Sequence, residues 1–194
     1  MESLVRPALT VPMTTSPILP GQTLDNPVTG ERFTFTHTAS STGGELLAFD
    51  FALRAGGAVP IPHVHPVQTE RFEVVEGRMR FRLGLRTLVA GPGDVVEVAP
   101  GVAHSFANPG PDEALLRVEV RPALAMERML AEVVALAHAG RLTRRGLPRD
   151  LRELARLART YDREAHLPLI GVGVQRLLLA PLVRSAPTPP STAA

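Results

Sequence analysis

The sequence contains no cysteine, which excludes disulfides, thiolate zinc sites and thiol nucleophiles together. It contains no lysine either. All 21 basic residues are arginine, so Schiff-base chemistry and lysine general bases are excluded as well. No stretch approaches the roughly 20 consecutive apolar residues that span a bilayer, so no membrane partner is expected. The opening "MESLVRPALTVPMTT" lacks a basic segment followed by an unbroken apolar run, so no signal peptide is expected and the cytoplasm is the default location. What remains is a chain of 194 residues, enough for one domain with a real core and a smaller appendage.

Charge is distributed unevenly. Residues 1–122 carry 10 arginines against 13 acids, whereas residues 123–194 carry 11 against 6. A basic C-terminal third raises the question of nucleic acid. Its arginines, however, alternate with acids in helical patterns such as "RDLRELARLARTYDRE", which describes a solvated helix face, and no nucleic-acid partner is expected.

Three regions separate by pattern. Residues 1–25 are proline-rich and aperiodic, an extended arm. From 26 to 122 the apolar period is two, broken by Gly and Pro. Leu47, Phe49, Phe51 and Leu53 fall on one strand face; Met79, Phe81, Leu83 and Leu85 fall on another, opposite Arg78, Arg80 and Arg82. Short strands at close spacing indicate an antiparallel sandwich or barrel, so the fold class is mainly β. The three arginines read as a solvated face or a dimer rim. Residues 123–184 change to a helical period. One helix runs through "ALAMERMLAEVVALAHAG". A second is opened by Pro148, with Leu151, Leu154, Ala155 and Ala158 on its apolar face, and a third short one lies near "GVQRLLLAPLV". Residues 185–194, "SAPTPPSTAA", read as a disordered tail.

Only six histidines occur, yet His63 and His65 stand one residue apart with Glu70 five positions on. Alternation on a strand puts the two imidazoles on one face. His104, after the turn at Pro100 and Gly101, begins a further strand that an antiparallel barrel can bring alongside. Three neutral imidazoles and a carboxylate suit one divalent transition metal, with Fe, Mn, Ni, Co, Cu and Zn all admissible. The other histidines have plainer readings: His37 is an ordinary strand residue, and His138 and His166 lie near helix C-terminal ends. Tyr161, the single tyrosine, packs between helix and barrel or reaches the barrel mouth.

On these residues the chain resembles the cupin superfamily. The family's first motif, G-x5-H-x-H-x4-E-x6-G, is met by Gly57, His63, His65, Glu70 and Gly77. The second, G-x5-P-x-G-x2-H-x3-N, is met by Gly93, Gly101, His104 and Asn108, with Ala99 standing at the proline position. The resemblance implies a single jelly-roll-like antiparallel β-barrel with a C-terminal helical extension, and His63, His65, Glu70 and His104 as metal ligands at its mouth. By similarity to quercetinase-like cupins, it also implies dioxygenation of a small oxygenated organic substrate, with Glu70 in the added role of proton relay. Non-oxidative isomerase, cyclase or lyase chemistry is the alternative, and a metal- or ligand-binding sensor module is the non-enzymatic one. Phe49, Phe51, Phe81 and Phe106 are expected to line the barrel. A homodimer is expected, because cupins commonly pair through sheet edges.

Overall fold

The computed structural model describes residues 17–168. The first sixteen residues of the expected arm, the third helical segment and the C-terminal tail lie outside them. Ten strands are formed: β1 (Thr23–Asn26), β2 (Glu31–His37), β3 (Leu47–Leu53), β4 (Ala58–His63), β5 (Thr69–Glu76), β6 (Met79–Leu83), β7 (Arg86–Ala90), β8 (Val95–Val98), β9 (His104–Ala107) and β10 (Ala114–Arg121). They build a six-stranded sheet in the order β1-β2-β3-β10-β5-β8 and a four-stranded sheet in the order β4-β9-β6-β7, and the paired strands run antiparallel. Strand β1 occupies the last residues of the stretch read as arm.

Period-two patterning explains the core. On β3 the side chains of Leu47, Phe49, Phe51 and Leu53 are buried while Asp50 is exposed, and on β6 Met79 and Phe81 are buried between exposed Arg78, Arg80 and Arg82. Phenylalanines from both sheets meet edge to face, with Phe51 and Phe106 5.8 Å apart and Phe72 and Phe106 5.3 Å apart between ring centroids. Gly77 holds a tight corner: its φ of +78° is left-handed, and a Cβ there would stand 2.9 Å from the Ala114 Cα. Asn108 clasps another corner, its amide donating to the carbonyls of Leu53 (2.9 Å) and Asp112 (2.7 Å).

Two helices follow the barrel, α1 (Met126–His138) and α2 (Leu151–Thr160). Helix α2 begins three residues after Pro148, because Asp150 supplies the N-cap, its carboxylate accepting from the Arg152 N–H at 2.7 Å. Leu151 therefore sits in the open first turn and is 65% exposed, contrary to expectation, while Ala155 of the expected face is buried together with Leu157. Glu153 pairs with Arg141, and Arg156 reaches Glu132 at 3.0 Å, so acids and arginines of this region neutralise one another across the two helices and the linker. No helix among the described residues is long and apolar enough to cross a membrane.

Candidate metal centre

Strands β4 and β9 pair so that His63 and His104 are direct register partners. His65 lies two residues past His63, and its backbone is held on both sides. The Gly101 N–H donates to the His65 carbonyl at 2.9 Å, in a turn where Gly101 has a φ of +81°. Val64 exchanges both backbone hydrogen bonds with His166, at 2.9 and 3.0 Å. Glu70 projects from the inner face of β5, where its neighbours in the sheet are Val98 and Val120. The result brings one potential ligand atom from each of His63, His65, Glu70 and His104 within 4.8 Å of the others.

Hydrogen bonding fixes how the imidazoles face. The Nδ1–H of His63 donates to the Ile61 carbonyl and that of His104 to the Val102 carbonyl, each at 3.2 Å, and that of His65 donates to the Glu164 carbonyl. In neutral rings this leaves every Nε2 as a bare acceptor. Those acceptors converge on an acceptor: Glu70 Oε2 lies 3.0 Å from His104 Nε2 and 3.3 Å from His65 Nε2. His65 Nε2 is buried with no well-formed hydrogen bond. A cluster of inward lone pairs with no proton to share is resolved by a cation, and the donor set, three nitrogens and a carboxylate oxygen, fits a divalent first-row metal.

Without a cation the four groups compete for protons. Burial, aided by the imidazoles of His104 and His65, lowers His63 to about 3. For Glu70, burial alone would raise the pKa, but His104 and His65 outweigh it and hold the carboxyl well below the usual carboxylate range. At His65 burial is in turn outweighed by Glu70 and the Glu164 carbonyl, so its pKa is raised.

His63, His65 and Glu70 open onto a cavity of about 410 Å³, while His104, 1% exposed, closes the site from behind. Phe33, Phe49, Phe51, Phe72 and Phe106 form its barrel wall, and Met126, Met129, Val133, Leu154 and Leu157 from the helices form its roof. The extension thus covers the barrel mouth. Phe81, expected in the lining, lies one layer deeper, where it packs on Phe72 with ring centroids 5.1 Å apart. Tyr161 lines the cavity, as one of its two readings had it, and packs with Leu136 and Leu157 of the two helices; burial and the nearby Glu132 push its hydroxyl up to about 12.

Residues 49–120, which include all four converging side chains, match the family model of the cupin domain. These residues form a cupin domain. Among solved structures, the chain is similar to the TT1209 protein of Thermus thermophilus, with 28% identity, 41% of this chain and 74% of that one covered, and a TM-score of 0.39. It is also similar to KdgF from a Halomonas species (19% identity, 52% and 86% covered, TM-score 0.45). A third likeness is to a predicted oxalate decarboxylase from Thermotoga maritima (17% identity, 52% and 90% covered, TM-score 0.47). No curated protein matches the chain. As in cupins, the half-buried His63 and the buried His65, Glu70 and His104 could hold a metal ion.

The remaining histidines fall outside the centre. His37 is exposed at the end of β2, His138 donates from Nε2 to the Asp25 carbonyl at 2.9 Å, and His166 takes part through its backbone alone. Two participants escape the sequence reading. Glu164 acts through a main-chain carbonyl, which no side-chain motif can announce. Glu31 lines the cavity; its parity with Phe33 and Phe35 along "ERFTF" was the available signal.

Proposed function

We propose that this cupin is a metal-dependent enzyme acting on a small, largely apolar organic molecule, with dioxygenation as the reaction. The observation that carries the reading is that three of the four converging side chains open into a deep, largely apolar cavity. A purely structural metal needs no such chamber. The volume lies within the ~300–1,000 Å³ typical of small-molecule sites. His63, His65, Glu70 and His104 would hold the ion. When bound, a redox-active metal supplies an electrophilic centre at which substrate and dioxygen meet, and incorporation of both oxygen atoms requires no outside reductant. The chain's own part is to bind and shield. The aromatic wall excludes water and positions a flat, oxygen-bearing substrate. The Glu70 carboxylate, kept ionised by its neighbours, takes the proton from a substrate hydroxyl or enolisable carbon.

The test is metal content of the purified protein, followed by oxygen uptake with phenolic and enolisable compounds. One iron, nickel, manganese or copper ion per chain, lost in both His63→Ala and His104→Ala, with substrate-dependent oxygen consumption, is the expected result. Turnover without oxygen uptake would replace dioxygenation with Lewis-acid isomerase, cyclase or lyase chemistry. Failure to bind any metal, even after reconstitution, would overturn the enzyme reading.

A further inference from the structure

The cavity has a second polar end. Glu31 lies on the inner face of β2, two residues before Phe33, at a position where the barrel pattern calls for an apolar side chain. Together with Asn26 and Thr29 it lines the same cavity as His63, His65 and Glu70. The two ends are far apart along the sheet. Glu31 pairs with Leu53 of β3, whereas Glu70 lies in the row of Val120, which pairs with Leu47. Six positions of β3 separate the rows, roughly 20 Å of strand at about 3.3 Å per residue. Between them the lining is apolar, including Phe33, Phe49, Phe51 and Val118.

The β1–β2 turn does not need this carboxylate. Asn26 Oδ1 already accepts the N–H groups of Val28 (3.1 Å) and Thr29 (3.4 Å), and the Gly30 N–H donates to the Asn26 carbonyl at 2.9 Å. Only Glu31 Oε2 is engaged, by the Thr29 hydroxyl and by the Asn26 amide at 3.2 Å. No salt bridge reaches Glu31 among the described residues; Arg145, also on the cavity lining, is exposed and makes none with it. Glu31 is half-buried, with Oε1 unengaged, and partial loss of water pushes its carboxyl up to about 7 against the hydrogen bonds from Thr29 and Asn26. A ligand donor would make good that loss.

We propose that the Glu31 end is a second recognition pole, so that the cavity selects an elongated apolar molecule carrying an oxygen donor at the metal end and a hydroxyl or amino group at the other. This rests on the metal-centred reading above for its near end only. The test uses full-length, metal-loaded protein and calorimetric titration with fatty acids of stepped chain length, each compared with its ω-hydroxy and ω-amino forms. At the matching length the ω-hydroxy acid should bind about tenfold or more tightly than its parent, as a charge-assisted hydrogen bond warrants. Glu31→Leu should abolish that preference while leaving the affinity for a parent acid short of the distal end unchanged. Glu31→Gln, whose amide oxygen preserves the bonds from Thr29 and Asn26, should keep the hydroxyl preference and lose the amino one, with thermal melts reporting that both variants fold. Equal affinity for parent and ω-substituted acids at every length, a preference that survives Glu31→Leu, or no binding at any length would overturn the proposal. Stripping the metal separates the two readings. It should weaken all the acids alike; acids that bind the stripped protein equally well would remove the metal end, and with it the proposed chemistry, while leaving the Glu31-dependent ratio to judge the distal pole.

Discussion

Glu164→Ala should weaken metal binding, although Glu164 contributes no ligand atom. Its carbonyl receives the Nδ1–H of His65, and its own carboxylate accepts the N–H of Ala125, at the start of α1, at 2.9 Å. Glu164 is 5% exposed, so the carboxylate–amide bond is sheltered from solvent competition. Hydrogen bonds to charged groups are worth about 1.5–3 kcal/mol. Alanine removes the anchor, the segment around residue 164 gains freedom, and the carbonyl no longer fixes the His65 ring. If most of that energy holds the ring in place, metal affinity falls by about 10–100-fold, the range found when partners of metal-bound histidines are removed. Competition against a chelator of known affinity measures it on the intact chain. Glu164→Gln retains an acceptor for Ala125 and should recover most of the loss. Glu113→Ala, which removes an exposed salt bridge to Arg32 on the barrel surface, should change nothing. Wild-type affinity in Glu164→Ala, within twofold, would refute the reasoning, whatever happens to the melting temperature.

Other expectations follow from single features. Glu31 has its folded-state pKa raised to about 7 from its usual 4.5, so the folded protein holds the proton more tightly than the unfolded chain; stability should fall as pH rises from about 4.5 to 7, by at most about 3 kcal/mol and less to the extent that the carboxyl is solvated. Denaturant titrations across that range should show the slope flattened in Glu31→Gln; a slope unchanged by the substitution would count against it. Gly77→Ala puts a Cβ 2.9 Å from Ala114 at a left-handed φ, and should cost about 1–3 kcal/mol in urea unfolding, where a loss below half a unit would show that the corner relaxes freely. The expected homodimer would pair through the edge strand β7, whose Val89 is 59% exposed and which adjoins Leu85 at 98%. Light scattering should then report two copies for the wild type and one for Val89→Arg; an unaltered mass would place the interface elsewhere.

The strands of the barrel and the four converging side chains were legible because both rest on spacing. Period two marks a strand face, the antiparallel pairing of β4 and β9 sets His63 against His104, and Glu70 joins them from β5 of the other sheet. The apolar face of α2 was read correctly at Leu154, Ala155 and Ala158 but not at Leu151, since periodicity alone did not show that Asp150, and not Pro148, starts the helix and leaves Leu151 in an open first turn. The role of the extension was not legible. Its link to the site is made by backbone groups, the carbonyl of Glu164 and the amide and carbonyl of His166, and every residue type possesses those. Strand β1 was hidden for a related reason: four residues, Thr23–Asn26, are too few to display a period.

The bond between His65 and Glu164 joins residues 99 apart in sequence. A ribosome releases the cupin motifs well before the residues that brace them, and domains generally fold from the N-terminal end as they emerge. The four ligand side chains can thus assemble on a partly synthesised chain, but the His65 ring acquires its partner only after residue 164 has left the exit tunnel. Under the proposed metal-centred reading, tight metal capture would therefore follow completion of this region of the chain. A cell that supplies metal sparingly would load finished molecules in preference to truncated ones, with no separate inspection step.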